Sequence, residues 1–164
     1  MATSLKNLSS FDKSNYSNCA DFNVGIVVSE WNREITENLL QGALKVFQTV
    51  GIPASQLNIE WVPGAFELPL GAQLLCQNPK IDGVVAIGVV IQGETKHFDF
   101  VCQGATNGIM QVMLSENKPI GFCVLTDNNI QQSRDRSGGK HGNKGIEAAV
   151  ACLDMIKMKI KLMQ

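Results

Sequence analysis

Glu94, Thr95 and His97 stand within four residues of one another, directly after the apolar run at residues 84–91 and its break at Gln92-Gly93. An imidazole at such a point can take a proton from an amine and return it to a leaving group, and a hydroxyl beside turn amides at a helix start can face an anion. Three other polar segments follow apolar runs in the same way. Ser29-Glu30-Trp31-Asn32 offers a ring for stacking, and Pro63-Gly64-Ala65-Phe66-Glu67 a carboxylate that accepts hydrogen bonds from hydroxyls. Thr126-Asp127-Asn128-Asn129 leads to Arg134 and Arg136, either of which could fork onto phosphate oxygens. Together these groups suit a flat heterocycle and a phosphate-like anion. On residue type alone the plainer roles stay open: His97 as a surface or capping histidine, Trp31 as a core or interface ring, Glu67 as dipole compensation, and both arginines as solvated helix charges.

The elements that must position these segments follow from hydrophobic periodicity. Residues 22–29 read as a short strand, and Ile35, Leu39, Ala43, Val46, Phe47 and Val50 recur at helical spacing until Gly51 ends the helix. Residues 57–62 form a second strand. A helix over 65–78 follows, tolerating Pro69 because it falls near the first turn. Residues 84–91 form the third strand, and Phe98, Val101, Ala105, Ile109, Val112 and Met113 line one face of the next helix. Residues 119–125 form a fourth strand. A short helix over 128–136, a break at 137–142 and an amphipathic helix over 143–163 complete the chain. Strands alternating with crossover-length connections predict an α/β fold, a four-stranded parallel sheet with helices on both faces in a three-layer α/β/α domain. Parallel strands bring all four polar segments to one sheet edge, where such folds bind ligands.

Composition narrows the classes. Fourteen Lys+Arg against 15 Asp+Glu leave a net charge of −1, so no global field draws the protein to nucleic acid or anionic lipid. Five dispersed cysteines without a C-x-x-C pair read as reduced core residues, and neither they nor His97 and His141 have metal-ligand spacing. No G-x-G-x-x-G or P-loop is present. Residues 1–21 lack the apolar core of a signal peptide, and no run approaches the roughly 18 apolar residues of a membrane span. A cytoplasmic protein is expected, with residues 1–21 an N-terminal arm, ordered where a partner surface accepts Leu5, Leu8 and Phe11, and one domain over 22–164.

Several segments carry a family resemblance in register: Phe22-Asn23 to Thr36 with Trp31-Asn32, Val62-Pro63-Gly64-Ala65-Phe66-Glu67-Leu68-Pro69, Gly88 to Thr95 with His97-Phe98-Asp99, and Gly142-Asn143-Lys144-Gly145 with Glu147-Ala148-Ala149. They resemble lumazine synthase, a transferase of riboflavin biosynthesis, from about Phe22 to Ala151. The resemblance implies a flavodoxin-like domain that condenses 5-amino-6-(D-ribitylamino)uracil with 3,4-dihydroxy-2-butanone 4-phosphate, giving 6,7-dimethyl-8-ribityllumazine, phosphate and water. It implies neither redox cofactor nor metal. Residue by residue, Trp31 matches the family's stacking aromatic, and Ala65, Phe66 and Glu67 the segment holding the pyrimidine and its ribityl chain. Val89, Val90 and Ile91 match the strand end whose backbone pairs with the pyrimidine. Glu94 and Thr95 match the turn receiving the phosphate substrate, and His97 the general acid/base. Phe122 and Arg136 match groups contributed by a neighbouring subunit, and Lys144 a lysine near the ribityl and phosphate groups. Asp127 stands where a second threonine is frequent in the family, and Arg134 where an apolar residue is usual.

The resemblance also implies pentamers with active sites between subunits. The short break at 137–142, without an insertion, points to twelve pentamers in a 60-subunit shell. Two other readings use the same edge: a non-catalytic module that binds a flavin or similar heterocycle, and an archaeal-type riboflavin synthase of the same fold.

Overall fold

A computed structural model describes residues 11–163. The expected alternation is present: β1 (Val24–Ser29), α1 (Arg33–Thr49), β2 (Leu57–Val62), α2 (Leu68–Gln77), β3 (Gly83–Ile91), α3 (His97–Ser115), β4 (Ile120–Asp127), α4 (Ile130–Arg136), β5 (Ser137–Gly139), β6 (Gly142–Asn143) and α5 (Lys144–Met163). The first four strands form one parallel sheet in the order β2-β1-β3-β4. β1 and β3 are central, which is why they read as unbroken apolar runs rather than as alternating ones.

The side chains of β3 alternate between two cores. Val85, Ile87 and Val89 pack with α1 and α5 on one face, and Val84 and Ala86 with α2 and α3 on the other. Ile87 is fully buried, so truncation to alanine would cost about 2–5 kcal/mol. No helix among the described residues is long and apolar enough to cross a membrane.

Three details depart from the sequence reading. The helix expected from residue 65 opens as a 3₁₀ turn, Ala65–Glu67, and becomes α-helical only at Leu68, which puts Pro69 in the first turn where its missing N–H costs nothing. The break at 137–142 belongs to a small antiparallel hairpin, β5-β6, whose tight path uses left-handed glycines, Gly138 at φ 127° and Gly142 at φ 74°. Finally, the stretch read as an arm divides at residue 11. From there to Asp21 it is mostly exposed and meets the body chiefly at Tyr16 and Cys19. The Tyr16 ring meets Phe11 edge-on, its hydroxyl donates to Asp154 of α5 at 2.8 Å, and Cys19 is fully buried. A single 3₁₀ turn, Lys13–Tyr16, carries this contact and has no period for a sequence reading to detect. Leu5 and Leu8 lie outside the described residues.

Candidate active site

All four strands end at one edge, with Ser29 beside Val62 and Ile91 beside Asp127. The polar segments therefore converge as expected, but they line two separate clefts that share no residue.

The first cleft, of about 970 Å³, is lined by Trp31, Asn32, Gly64, Ala65, Phe66, Glu67, Val89, Val90, Ile91, His97, Phe100 and Val101. Asn32 sits in the left-handed region at φ 57°, a conformation asparagine tolerates, and turns the chain so that α1 begins at the next residue. Trp31 is left 71% exposed at the cleft. Gly64 supplies space: a Cβ there would stand 3.0 Å from Glu67 Oε2 and 3.7 Å from Trp31 Cδ1, so carboxylate and indole approach over bare backbone. Phe66, 59% exposed, lies where a Cβ on Gly104 of α3 would strike its ring.

The floor of this cleft comes from a mismatch in strand lengths. β1 pairs with β3 only through Val28 and Ile87, whereas β4 stays paired as far as Ile91 and Asp127. Residues 88–91 thus run past that pairing and turn one backbone edge, with its alternating donors and acceptors, toward the cleft. His97 is the exposed first residue of α3, and its backbone N–H donates to Thr95 Oγ1 at 3.4 Å. Glu94 and Thr95 are exposed and line neither cleft, and at Gly93 nothing lies within 4 Å of where a Cβ would stand. The expected phosphate cradle is therefore an open turn at the rim.

The second cleft, of about 590 Å³, lies along the outer strand β4 and against α5. Its lining includes Phe122, Cys123, Asp127, Arg136, Lys144 and Glu147. Phe122 is 43% exposed. Lys144 Nζ bonds Glu147 Oε1 at 2.6 Å, and Arg136 Nε lies 3.9 Å from Asp127 Oδ1. The start of α5 is fixed by Asn143, whose side chain accepts from Gly145 N at 2.8 Å and donates to Asn38 O at 2.7 Å, so the helix begins at Lys144 rather than Asn143. Cys123 is buried, which pushes its thiol up and keeps it in the neutral form.

The two arginines point in different directions. Arg134 forks onto Glu34 of α1 at 3.0 and 3.1 Å, an exposed pair that holds the Glu34 carboxyl below its usual range. Arg136 faces the second cleft. Of the residues singled out by sequence, Trp31, Ala65, Phe66, Glu67, Val89, Val90, Ile91 and His97 thus share one cleft, and Phe122, Arg136 and Lys144 the other. Phe100 and Val101 escaped notice as site residues although they stand at i+3 and i+4 from His97, the spacing that shares a helix face. Glu147 has the same relation to Lys144. Among the described residues no group of three or more His, Cys, Asp or Glu is placed to hold a metal ion.

Fold and site together define a class: an α/β protein with one aromatic cleft, open to a strand's backbone edge, at the carboxyl end of a parallel sheet, and one charged cleft along its outer strand. Comparison with known proteins is specific. The family model for 6,7-dimethyl-8-ribityllumazine synthase matches residues 21–159. The chain is 56% identical to a protein of that name from Flavobacterium johnsoniae, over 94% of this chain and 82% of that one. It is 53% identical to one from Christiangramia forsetii, over 97% and 95%, and 45% identical to one from Thermus thermophilus, over 82% and 86%. The chain belongs to the 6,7-dimethyl-8-ribityllumazine synthase family, a family of enzymes.

Proposed function

We propose that this chain catalyses the condensation of 5-amino-6-(D-ribitylamino)uracil with 3,4-dihydroxy-2-butanone 4-phosphate, releasing 6,7-dimethyl-8-ribityllumazine, phosphate and water, in riboflavin biosynthesis. Beyond family membership, the observation that carries the assignment is the first cleft, where one open backbone edge, an exposed indole and a histidine meet. A pyrimidine edge, with its own alternating donors and acceptors, pairs with residues 89–91 while its face lies against Trp31. Glu67 accepts from ribityl hydroxyls, and Ala65 and Phe66 bound the space. His97 takes a proton from the attacking amine and returns one to the departing oxygen.

The phosphate substrate needs fixed cations, and the first cleft has no lysine or arginine among its lining residues. Arg136 and Lys144 of the second cleft, with Phe122 as an apolar wall, supply that need from a neighbouring copy, while Glu94 and Thr95 meet the phosphate at the rim. The catalytic unit is thus an interface in a homopentamer. The tight β5-β6 hairpin supports the packing of twelve pentamers into a 60-subunit shell. Five free cysteines, four of them buried, fit a reducing cytoplasmic setting.

The test is direct: purified protein with both substrates and no added cofactor should generate the lumazine chromophore. Absence of the chromophore while the protein retains affinity for a flavin would leave a binding module instead. Sedimentation at the mass of five chains rather than sixty would remove the shell.

A further inference from the structure

The second cleft holds a buried carboxylate, Asp127, to which the proposed mechanism gives no role. Asp127 closes β4 and is only 6% exposed. A carboxylate buried to this degree is costly unless hydrogen bonds and a nearby cation compensate it. Both are present on α4. Oδ2 accepts from Ser133 Oγ at 2.8 Å, and Oδ1 lies 3.9 Å from Arg136 Nε. Ser133 and Arg136 are i and i+3, so one face of α4 presents the hydroxyl and the guanidinium together to the strand end.

Seven residues make too short a helix to stand alone. Side chains at its N-terminus secure it: Asn129 caps Gln132 N at 3.0 Å, and the Gln132 side chain accepts from Asn128 N at 2.9 Å. At the other end Arg136 makes a weak contact, Nη1 to Gln132 O at 3.4 Å. The 3.9 Å separation from Asp127 exceeds hydrogen-bond length. The guanidinium is therefore aligned by the carboxylate without giving it a hydrogen bond from Nε.

The charges of the cleft add a reason why alignment matters. Arg136 and Lys144 are opposed by Asp127 and Glu147, so the charged lining sums formally to zero. The lining as a whole thus offers an anion no excess charge, and attraction rests on local approach to each cation. Capture then depends on the orientation of the fork, since a bidentate guanidinium contact is lost when the plane tilts.

We infer that Asp127, tied to α4 through Ser133, is a positioning residue that aims Arg136 at the phosphate group of the substrate. This rests on the proposed role of Arg136 as a phosphate ligand.

Steady-state kinetics with both substrates on Asp127→Asn, Arg136→Ala and the double variant tests it. Asp127→Asn keeps shape and hydrogen bonding while removing the charge, and should raise KM for the phosphate substrate about three- to tenfold, with a smaller change in kcat, through partial loss of one charge-assisted contact. The inhibition constant of inorganic phosphate should rise in the same proportion. The double variant should behave as Arg136→Ala alone. Ser133→Ala should shift the same KM in the same direction by less, and carries the test should thermal melting show Asp127→Asn to be unfolded. An equal added factor for Asp127→Asn in the Arg136→Ala background would overturn the inference and leave Arg136 its role, as would an unchanged KM in Asp127→Asn. Parent kinetics for Arg136→Ala itself would overturn both.

Discussion

The two clefts differ in what lines them, and the proposed reaction would divide its chemistry between them. The first is walled by aromatic rings and strand backbone, with His97 and Glu67 as its ionisable side chains; the second is charged, and each of its cations already faces a carboxylate. A flat heterocycle is recognised by faces and edges, which rings and backbone supply without a charge. A phosphate needs cations, and Arg136 and Lys144 lie along the outer strand, where the proposed neighbouring copy would meet them. On the proposed reading, one polypeptide carries both halves of a two-substrate site without bringing them together itself.

Variants that strike each cleft separately sharpen this contrast. His97→Ala should have the largest effect, lowering kcat by about 10²- to 10⁴-fold, the range of a single acid/base group. Arg136→Ala should raise KM for the phosphate substrate by about 10- to 100-fold, as expected for losing a charged hydrogen bond, with kcat less affected. These two variants also offer the way to break the comparison. Unfolded together and reassembled, they should recover activity that neither has alone, because some interfaces then join an intact first cleft to an intact second one. No recovery, with mixed assemblies verified by mass, would place both halves within one chain. Trp31→Ala should weaken the pyrimidine substrate by about tenfold, the order of one stacked ring, and leave use of the phosphate substrate closer to the parent. Smallest of all, Arg134→Ala should stay within about twofold of parent kinetics, because Arg134 belongs to an exposed ion pair with Glu34.

Much of the fold was legible in the chain because long apolar runs and helical spacing report burial directly. Val84, Val85, Ala86 and Ile87 read as a buried strand and are fully buried. The failures were short elements. Tyr16 reaches the core from a four-residue turn and Cys19 from just after it, and β5-β6 consists of a three-residue and a two-residue strand; neither is long enough to show a period. Asp127 stood out as a departure from the family pattern, but its partner Ser133 did not, since a serine six residues away in a short helix has no sequence signature.

Local pattern thus set the elements, their parallel direction and the edge where the polar segments meet, because periodicity and crossover length are properties of neighbouring residues, whereas the strand order β2-β1-β3-β4 came from packing. Which face of the sheet each segment opens onto was decided by packing. Arg134 and Arg136 make the difference plain. Two residues apart on one helix, they point in different directions, and only the docking of α4 against β4 and α1 sends one to Glu34 and the other beside Asp127 into the cleft.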